Sequence, residues 1–203
     1  MDINWIWYIG LGYLLGSIPF ALVIGKVFYK TDVRNYGSGN LGGTNTGRVL
    51  GKKAGMSVII CDVLKVVVAV GIVSMFNREA SIWAGFTAAL GHCYPIFANF
   101  KGGKAVATMF GFLLSTSIFT FQNGWYVIVP FIIFMIILYL SKMVSLSSMA
   151  AALASSIYIT CMQYSSSIEI VIASWLLTIL VIYRHRGNIV KIKNGTESKI
   201  TWL

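Results

Sequence analysis

Long apolar segments joined by short connectors constrain this chain more than any other feature of its sequence. A helix that crosses the hydrocarbon core of a bilayer needs roughly 17 to 25 predominantly apolar residues. Of the 203 residues, 57% are hydrophobic and only 11% are charged, whereas a soluble domain carries about a quarter charged residues. The sequence therefore predicts an all-α polytopic membrane protein, with residues 1–203 forming a single domain. We place seven spans, at about residues 3–25, 55–76, 81–99, 105–121, 125–141, 147–164 and 168–184.

The placement of the basic residues predicts how these spans are oriented. With seven spans, 14 of the 16 lysines and arginines fall in connectors on one side, and only Arg78 lies on the other. Cytoplasmic connectors are enriched in Lys and Arg, so we expect an external N-terminus and a cytoplasmic C-terminus. The net charge of +10 is distributed over short loops rather than one amphipathic face, which argues against nucleic acid as a partner.

A glycine-rich loop over residues 37–48 follows the first span and reads Gly-Ser-Gly-Asn-Leu-Gly-Gly-Thr-Asn-Thr-Gly-Arg. Glycine allows backbone amides to converge on an anion, and nearby polar and cationic side chains add donors. A helix that starts near Thr44 would place Asn45 and Arg48 on one face. A plain connector would explain the glycines but not the short polar residues between them. We therefore predict a phosphate site that includes Gly37, Ser38, Gly39, Asn40, Thr44, Asn45 and Arg48.

A second cationic glycine loop, Lys101-Gly102-Gly103-Lys104, follows the third span on the same side. Two glycines between two lysines predict a compact phosphate-binding segment. His92 lies inside the third predicted span, where it either contacts substrate or fixes helix packing through a hydrogen bond, and the sequence leaves both open.

Two further groups of residues complete the predicted site. Asp62 and Lys65 are three residues apart in the second span and are expected to form an ion pair, with Lys65 able to extend towards the cytoplasmic face. Ser145 and its neighbours either line the site or cap the sixth span, and capping is favoured. His185 and Asn188 lie one helical turn apart after the seventh span. No metal-binding or cofactor-binding motif occurs in the sequence, so we expect neither a metal nor a cofactor.

Five motifs, taken in this order, resemble those of the bacterial integral-membrane acyl-phosphate:glycerol-3-phosphate acyltransferases, the PlsY family. They lie at residues 37–48, 62–65, 91–104, 145–148 and 185–197, so the resemblance covers nearly the whole chain. Two departures are mild. Gly43 replaces the usual alanine, and Lys191 replaces an arginine and so lacks its bidentate fork.

The resemblance implies transfer of a fatty acyl group from acyl phosphate to the 1-hydroxyl of sn-glycerol 3-phosphate. The products would be lysophosphatidic acid and phosphate, at the first step of phospholipid synthesis. It also implies a multi-pass protein of the bacterial plasma membrane whose partners are the two substrates and membrane lipid, with no obligatory protein partner.

The resemblance also assigns roles to individual residues. It implies that Ser38, Arg48, His185 and Asn188 are needed for activity, that Gly102 and Gly103 serve glycerol phosphate, and that Glu197 is structural. Our hypothesis is that Ser38, Asn40 and Arg48 hold acyl phosphate, and that residues 101–104 hold glycerol 3-phosphate.

Some alternatives remain open at this point. The proton of the attacking hydroxyl goes to His185, to His92 or to the phosphate of the substrate. An acyl-Ser38 intermediate would need a base that no spacing provides. A carrier for phosphorylated metabolites would need a midplane site and is disfavoured by the clustering of cations at one face. A scaffold subunit would need neither Ser38 nor Arg48.

Overall fold

The computed structural model describes residues 4–200, which form ten α-helices and no β-strand. The helices are α1 Asn4–Gly16, α2 Phe20–Tyr29, α3 Gly43–Leu50, α4 Lys52–Ser74, α5 Arg78–Cys93, α6 Val106–Ser115, α7 Trp125–Ser141, α8 Val144–Gln163, α9 Ile168–Arg184 and α10 Arg186–Lys193. A π-helical turn, Thr116–Thr120, extends α6, and short 3-10 turns occur at Val33–Asn35 and Ile96–Ala98. The prediction of an all-helical protein is confirmed.

Helices occupy all seven predicted apolar segments. Three of them are long and apolar enough to cross a bilayer: the α1–α2 pair over Asn4–Tyr29, α4 and α8. A fourth candidate joins α9 to α10 through a bend of 56°. The extended α6 and α7 are shorter apolar helices. A membrane class of fold is therefore supported, while the number of crossings remains a prediction.

Several predicted boundaries differ from the structure by three to six residues, and two of these differences matter for the site. The third segment was expected to continue to residue 99, but α5 ends at Cys93 because Pro95 lacks an amide and disfavours helical geometry in the residue before it. The sixth was expected to begin at residue 147, but α8 begins at Val144. The Ser147 hydroxyl therefore donates to the Met143 carbonyl (2.8 Å) from within the helix, and the expected serine N-cap is absent at this start.

Small residues bring the central helices close together. A Cβ atom added at Gly16 of α1 would lie 2.0 Å from the Ala88 carbonyl oxygen of α5, and one added at Gly111 of α6 would lie 2.7 Å from the Val63 carbonyl of α4. Such contacts between glycine and backbone are typical of helix pairs within membranes. α4 packs against α5 and α6, and α8 packs against α7 and α9. This close packing fixes the relative positions of the loops at the helix ends.

Candidate active site

A buried ion pair lies beside His92, in the last turn of α5. The Lys65 ammonium is 2.7 Å from the Asp62 carboxylate and 3.1 Å from His92 Nδ1, and it donates to the Ile18 carbonyl (3.0 Å) in the break between α1 and α2. All three charged or polar side chains are buried. The predicted ion pair is confirmed. Because the Lys65 ammonium is occupied by these three partners, it holds helices together rather than reaching the surface.

The second glycine loop packs onto the end of α5. The Gly102 amide donates to the Cys93 carbonyl (3.2 Å), and the Gly103 amide donates to the His92 carbonyl (3.0 Å). These are carbonyls that the end of a helix leaves without an intrahelical partner. The expectation that the two glycine amides are free to bind an anion is therefore wrong for this conformation.

Glycine is required in this loop because there is no room for a side chain. A Cβ atom at Gly103 would lie 2.0 Å from His92 Nε2, and one at Gly102 would lie 2.0 Å from the His92 carbonyl oxygen. Neither glycine has a positive φ. His92 thus supports the loop from below, in the last turn of α5.

Arg184, at the end of α9, holds the other side of the same loop. Its Nε donates to the Gly103 carbonyl (3.0 Å) and its Nη2 to the Gly102 carbonyl (3.1 Å), while its guanidinium lies 5.1 Å from the centre of the Tyr94 ring. The sequence pattern does not predict this contact, since Arg184 stands there only as one of the basic residues on the predicted cytoplasmic side. Its position immediately before His185 was the one available signal.

The first glycine loop is shaped from inside by a single amide side chain. Asn45 Oδ1 accepts from the Ser38 amide (2.8 Å), and Asn45 Nδ2 donates to the Val33 carbonyl (3.1 Å). Gly37 and Gly39 have φ values of 60° and 67°, a region that side chains disfavour. Asn45 is buried and fully engaged, so in this conformation it organises the loop instead of facing a ligand.

Side chains with free polar ends project from this first loop. Ser38, Thr44 and Arg48 are exposed. α3 begins at Gly43, one residue before the position expected, so Arg48 follows on the same short helix.

The two loops are in direct contact. The Asn40 side chain donates from Nδ2 to the Gly102 carbonyl (3.3 Å), the same oxygen that accepts from Arg184. Although 62 residues separate Asn40 from Gly102 along the chain, the structure brings the loops to one place, as their shared sidedness predicts.

Each loop leads into a helix whose first amides have no side-chain cap. α3 follows Gly42 and α6 follows Ala105, and neither N-cap residue supplies a capping side chain. By contrast, the Asn77 side chain caps α5 and the Asn123 side chain accepts from the first amide of α7. Free amides and the helix dipole make an N-terminus favourable for anions. The starts of α3 and α6 can therefore add to the positive potential of the loops.

A polar network connects the second loop to the C-terminal segment. The Lys104 ammonium donates to Asn188 Oδ1 (2.6 Å), and Asn188 Nδ2 donates to Glu197 Oε1 (2.7 Å), which also accepts from the Ser145 hydroxyl (2.6 Å). Burial lowers the pKa of Lys104, and the positive charges of Lys191, Arg184 and Arg48 lower it further, against the opposite effect of Glu197. Three predicted site residues, Lys104, Asn188 and Ser145, thus meet around Glu197.

His185 lies between α9 and α10 and is 3% exposed. Its Nδ1 is 2.8 Å from the Val181 carbonyl, and because a carbonyl only accepts, Nδ1 carries the proton and Nε2 keeps a lone pair. Burial lowers the pKa of His185 to about 4, and the charge of Lys104 contributes in the same direction. The ring is therefore neutral at pH 7. Lys101, by comparison, is exposed at the edge of the site.

The all-helical fold with apolar candidate spans defines an integral membrane protein with a cationic two-loop site. Comparison with known proteins gives the family. The family model for glycerol-3-phosphate acyltransferase matches residues 6–195. Relatives with that name include proteins from Geobacillus kaustophilus, 46% identical over 95% of this chain and 94% of the relative, and Enterococcus faecalis, 45% identical over 95% and 90%. The chain belongs to the glycerol-3-phosphate acyltransferase family.

Solved structures agree with this assignment. The glycerol 3-phosphate form of PlsY (YgiH), an integral membrane glycerol 3-phosphate acyltransferase, superimposes with a TM-score of 0.89 at 33% identity, covering 98% of this chain and 96% of that one. The lysophosphatidic acid form of the same enzyme gives a TM-score of 0.85 at 32% identity over the same shares. The all-helical class of the fold and the family resemblance given by the motifs are both confirmed.

Proposed function

We propose that this protein transfers a fatty acyl group from acyl phosphate to the 1-hydroxyl of sn-glycerol 3-phosphate, producing lysophosphatidic acid and phosphate. The observation that carries the proposal is the contact between the two cationic glycine loops through Asn40 and the Gly102 carbonyl. Two anions held by these loops would be adjacent despite their mutual repulsion. The forms in which the PlsY structures were solved, with glycerol 3-phosphate and with lysophosphatidic acid, support the acceptor and the product.

We assign acyl phosphate to the first loop. The exposed Ser38 hydroxyl and Arg48 guanidinium, with the free amides at the start of α3, supply donors and positive charge. Asn40 would join this loop to the second one, and Thr44 would add a hydroxyl. Gly37, Gly39 and Asn45 set the shape of the loop and need not touch the ligand.

We assign glycerol 3-phosphate to the second loop. Lys104 and Lys101 supply charge, and the start of α6 supplies amides. Gly102 and Gly103 form the floor beneath the substrate. His92 and Lys65 support that floor from below. Asn188 orients Lys104 directly, and Glu197, which also accepts from Ser145, holds Asn188 in place.

In the reaction, the glycerol hydroxyl oxygen attacks the acyl carbon and forms the ester. The bond from that carbon to the phosphate oxygen breaks, and phosphate leaves with the bonding electrons. An acyl phosphate is a mixed anhydride with a good leaving group, so positioning and charge neutralisation supply most of the required catalysis. The acyl chain would lie between spans in contact with lipid.

For the hydroxyl proton we favour the phosphate of the substrate. A general base works best when its pKa is near the operating pH, and the second pKa of a phosphate monoester is about 6. A His185 with a pKa of about 4 is a weaker base, and His92 lies behind Gly103. We therefore treat His185 as a residue that shapes the site.

We infer seven spans with the N-terminus outside, which places both loops at the cytoplasmic face of the bacterial plasma membrane. The clustering of the lysines and arginines in alternate connectors supports this orientation. A carrier, by contrast, would be expected to place its binding site near the bilayer midplane.

The test uses purified protein in detergent, supplied with palmitoyl phosphate and radiolabelled glycerol 3-phosphate. Formation of labelled lysophosphatidic acid is expected with palmitoyl phosphate and not with palmitoyl-CoA. Product formed from palmitoyl-CoA alone would overturn the choice of donor. If both donors give no product but reconstituted vesicles take up labelled glycerol 3-phosphate, the protein is a carrier.

A further inference from the structure

One carbonyl joins three distant parts of the chain. The Gly102 oxygen accepts from Asn40 of the first loop and from Arg184 at the end of α9. The amide of the same peptide unit, that of Gly103, donates to the His92 carbonyl of α5. A single peptide plane is thus fixed at both of its polar ends.

The next peptide unit is fixed at one end only. Its carbonyl, that of Gly103, accepts from Arg184 Nε. In a trans peptide the N–H points opposite to the C=O, so the Lys104 amide points away from Arg184. Within residues 4–200 this amide has no acceptor, and it lies directly before the uncapped start of α6.

We propose that Arg184 is a positioning residue for glycerol 3-phosphate: by holding the Gly102 and Gly103 carbonyls, it aims the Lys104 amide and the start of α6 at the phosphate of the substrate. The inference rests on the proposed function and adds to it a residue that acts through the loop. In this role Arg184 acts through the loop, since its Nε and Nη2 are both engaged by the loop carbonyls.

The planar guanidinium is the group that suits this task. It presents donors in a rigid fork, so Nε and Nη2 can bind two successive carbonyls at once, whereas a lysine ammonium is a compact point charge on a flexible stem. The Tyr94 ring, 5.1 Å from the guanidinium, supports this plane from one side. The Tyr94 carbonyl in turn accepts from the Tyr13 hydroxyl of α1 (2.8 Å).

The chain offers a matched control two residues away. Arg186 is also an arginine over a tyrosine, with its guanidinium 4.5 Å from the centre of the Tyr183 ring, and it is exposed. It makes no hydrogen bond to the loop in the described part of the chain. Arg186→Gln removes the same charge from the same surface without removing the contact with Gly102 and Gly103.

The experiment compares Arg184→Gln, Arg184→Lys and Arg186→Gln in the palmitoyl phosphate assay. Two charge-assisted hydrogen bonds are lost in Arg184→Gln, so we expect the KM for glycerol 3-phosphate to rise about tenfold or more. The KM for palmitoyl phosphate is expected to change less than about threefold, because the first loop is shaped by Asn45. Arg184→Lys is expected to recover only a small part of the loss, and Arg186→Gln to behave as wild type.

Chemical rescue gives a readout that a general loss of structure would not produce. Guanidinium ion added at millimolar concentration to Arg184→Ala is expected to lower the KM for glycerol 3-phosphate, and ammonium ion is not. Hydrogen exchange of residues 101–105 is expected to be faster in Arg184→Gln than in Arg186→Gln, whether or not substrate is present.

The outcomes separate the two proposals. If wild type makes lysophosphatidic acid and Arg184→Gln has the same KM for glycerol 3-phosphate and the same loop exchange as Arg186→Gln, Arg184 is not a positioning residue. If wild type makes no product, the proposed function fails. Even in that case, hydrogen exchange of residues 101–105 tests whether Arg184 fixes the loop. Slower exchange in Arg186→Gln than in Arg184→Gln would support that contact, and equal exchange in the two variants would overturn it.

Discussion

The two glycine loops use glycine for different physical reasons. In the first, Gly37 and Gly39 have φ near +60°, where a Cβ atom is unfavourable for conformational reasons. In the second, Gly102 and Gly103 have ordinary φ values, and a Cβ atom is excluded because His92 occupies the space. One loop depends on local backbone geometry, and the other depends on its neighbours in the fold.

This difference extends to the polar groups of the loops. The side chains of Ser38 and Arg48 are exposed, while the Gly102 and Gly103 amides are already bonded to α5. In the proposed function, the first loop therefore binds acyl phosphate through its own side chains and the start of α3. The second would contribute a rigid floor for glycerol 3-phosphate, and the groups that follow it, Lys104 and the start of α6, would provide the charge and the amides.

The largest effect is expected from Gly103→Ala. Its Cβ would lie 2.0 Å from His92 Nε2, and overpacking a buried site costs about 1–3 kcal/mol. Because the displaced loop also carries Lys104, we expect turnover to fall at least about 100-fold, with a lower melting temperature of the purified protein. Both are measured in detergent, by product formation and by a thermal melt.

The contrast with the first loop is tested by Gly39→Ala and Gly39→Asn. A left-handed conformation costs about 1–2 kcal/mol for an ordinary residue, and asparagine tolerates it better. Gly39→Asn should therefore retain more activity than Gly39→Ala, while at position 103 the larger asparagine should be worse than alanine. If adding His92→Ala does not restore part of the activity of Gly103→Ala, steric exclusion by His92 is not the reason that position 103 requires glycine.

The next effect in size separates binding from stability in the first loop. Arg48→Gln removes an exposed cation that we assign to acyl phosphate, and losing charge-assisted hydrogen bonds to a phosphate should lower kcat/KM for palmitoyl phosphate about 100-fold. The melting temperature should stay within about 1 °C of wild type, since exposed charges contribute little to stability. Lys52→Gln, in the nearby basic flank, is the control. A large fall in melting temperature for Arg48→Gln would mean that this loop, too, depends on its neighbours in the fold.

The two loops also differ in how well the sequence predicts them, because the first depends on local backbone geometry and the second on its neighbours in the fold. Gly37 to Arg48 lie within twelve residues, and local pattern was enough to predict a polar, irregular loop followed by a helix near Thr44. The helices over 125–141 and 168–184 were likewise predicted to the residue, because their apolar runs end at clear polar boundaries.

The second loop was harder to predict because its geometry depends on distant residues. Its amides are occupied only because Pro95 ends α5 early and leaves the His92 and Cys93 carbonyls available. The contact of Arg184 with Gly103 joins residues 81 apart in sequence, and no local spacing reports it. The motif was found, but the function of its glycines was not.

The smallest expected effect is a pH dependence that should come from the second loop alone. Burial lowers the pKa of Lys104 below that of a free lysine, and the protonated form is the one that attracts phosphate. As pH rises through this lowered pKa, the KM for glycerol 3-phosphate should increase about tenfold per unit, beginning below pH 10.5, while the KM for palmitoyl phosphate stays constant over the same range. Bound phosphate favours the charged lysine, so kcat at saturating substrate should fall only at a higher pH than kcat/KM. Lys104→Arg, whose side chain stays charged, should abolish this alkaline rise. A rise in both KM values together at alkaline pH would show that the two loops share one titrating group, and the separation of the two substrate sites would be lost.

On the acid side, a His185 with a pKa of about 4 should cause no loss of activity between pH 5 and pH 7. His185→Ala should therefore leave the shape of that part of the pH profile unchanged.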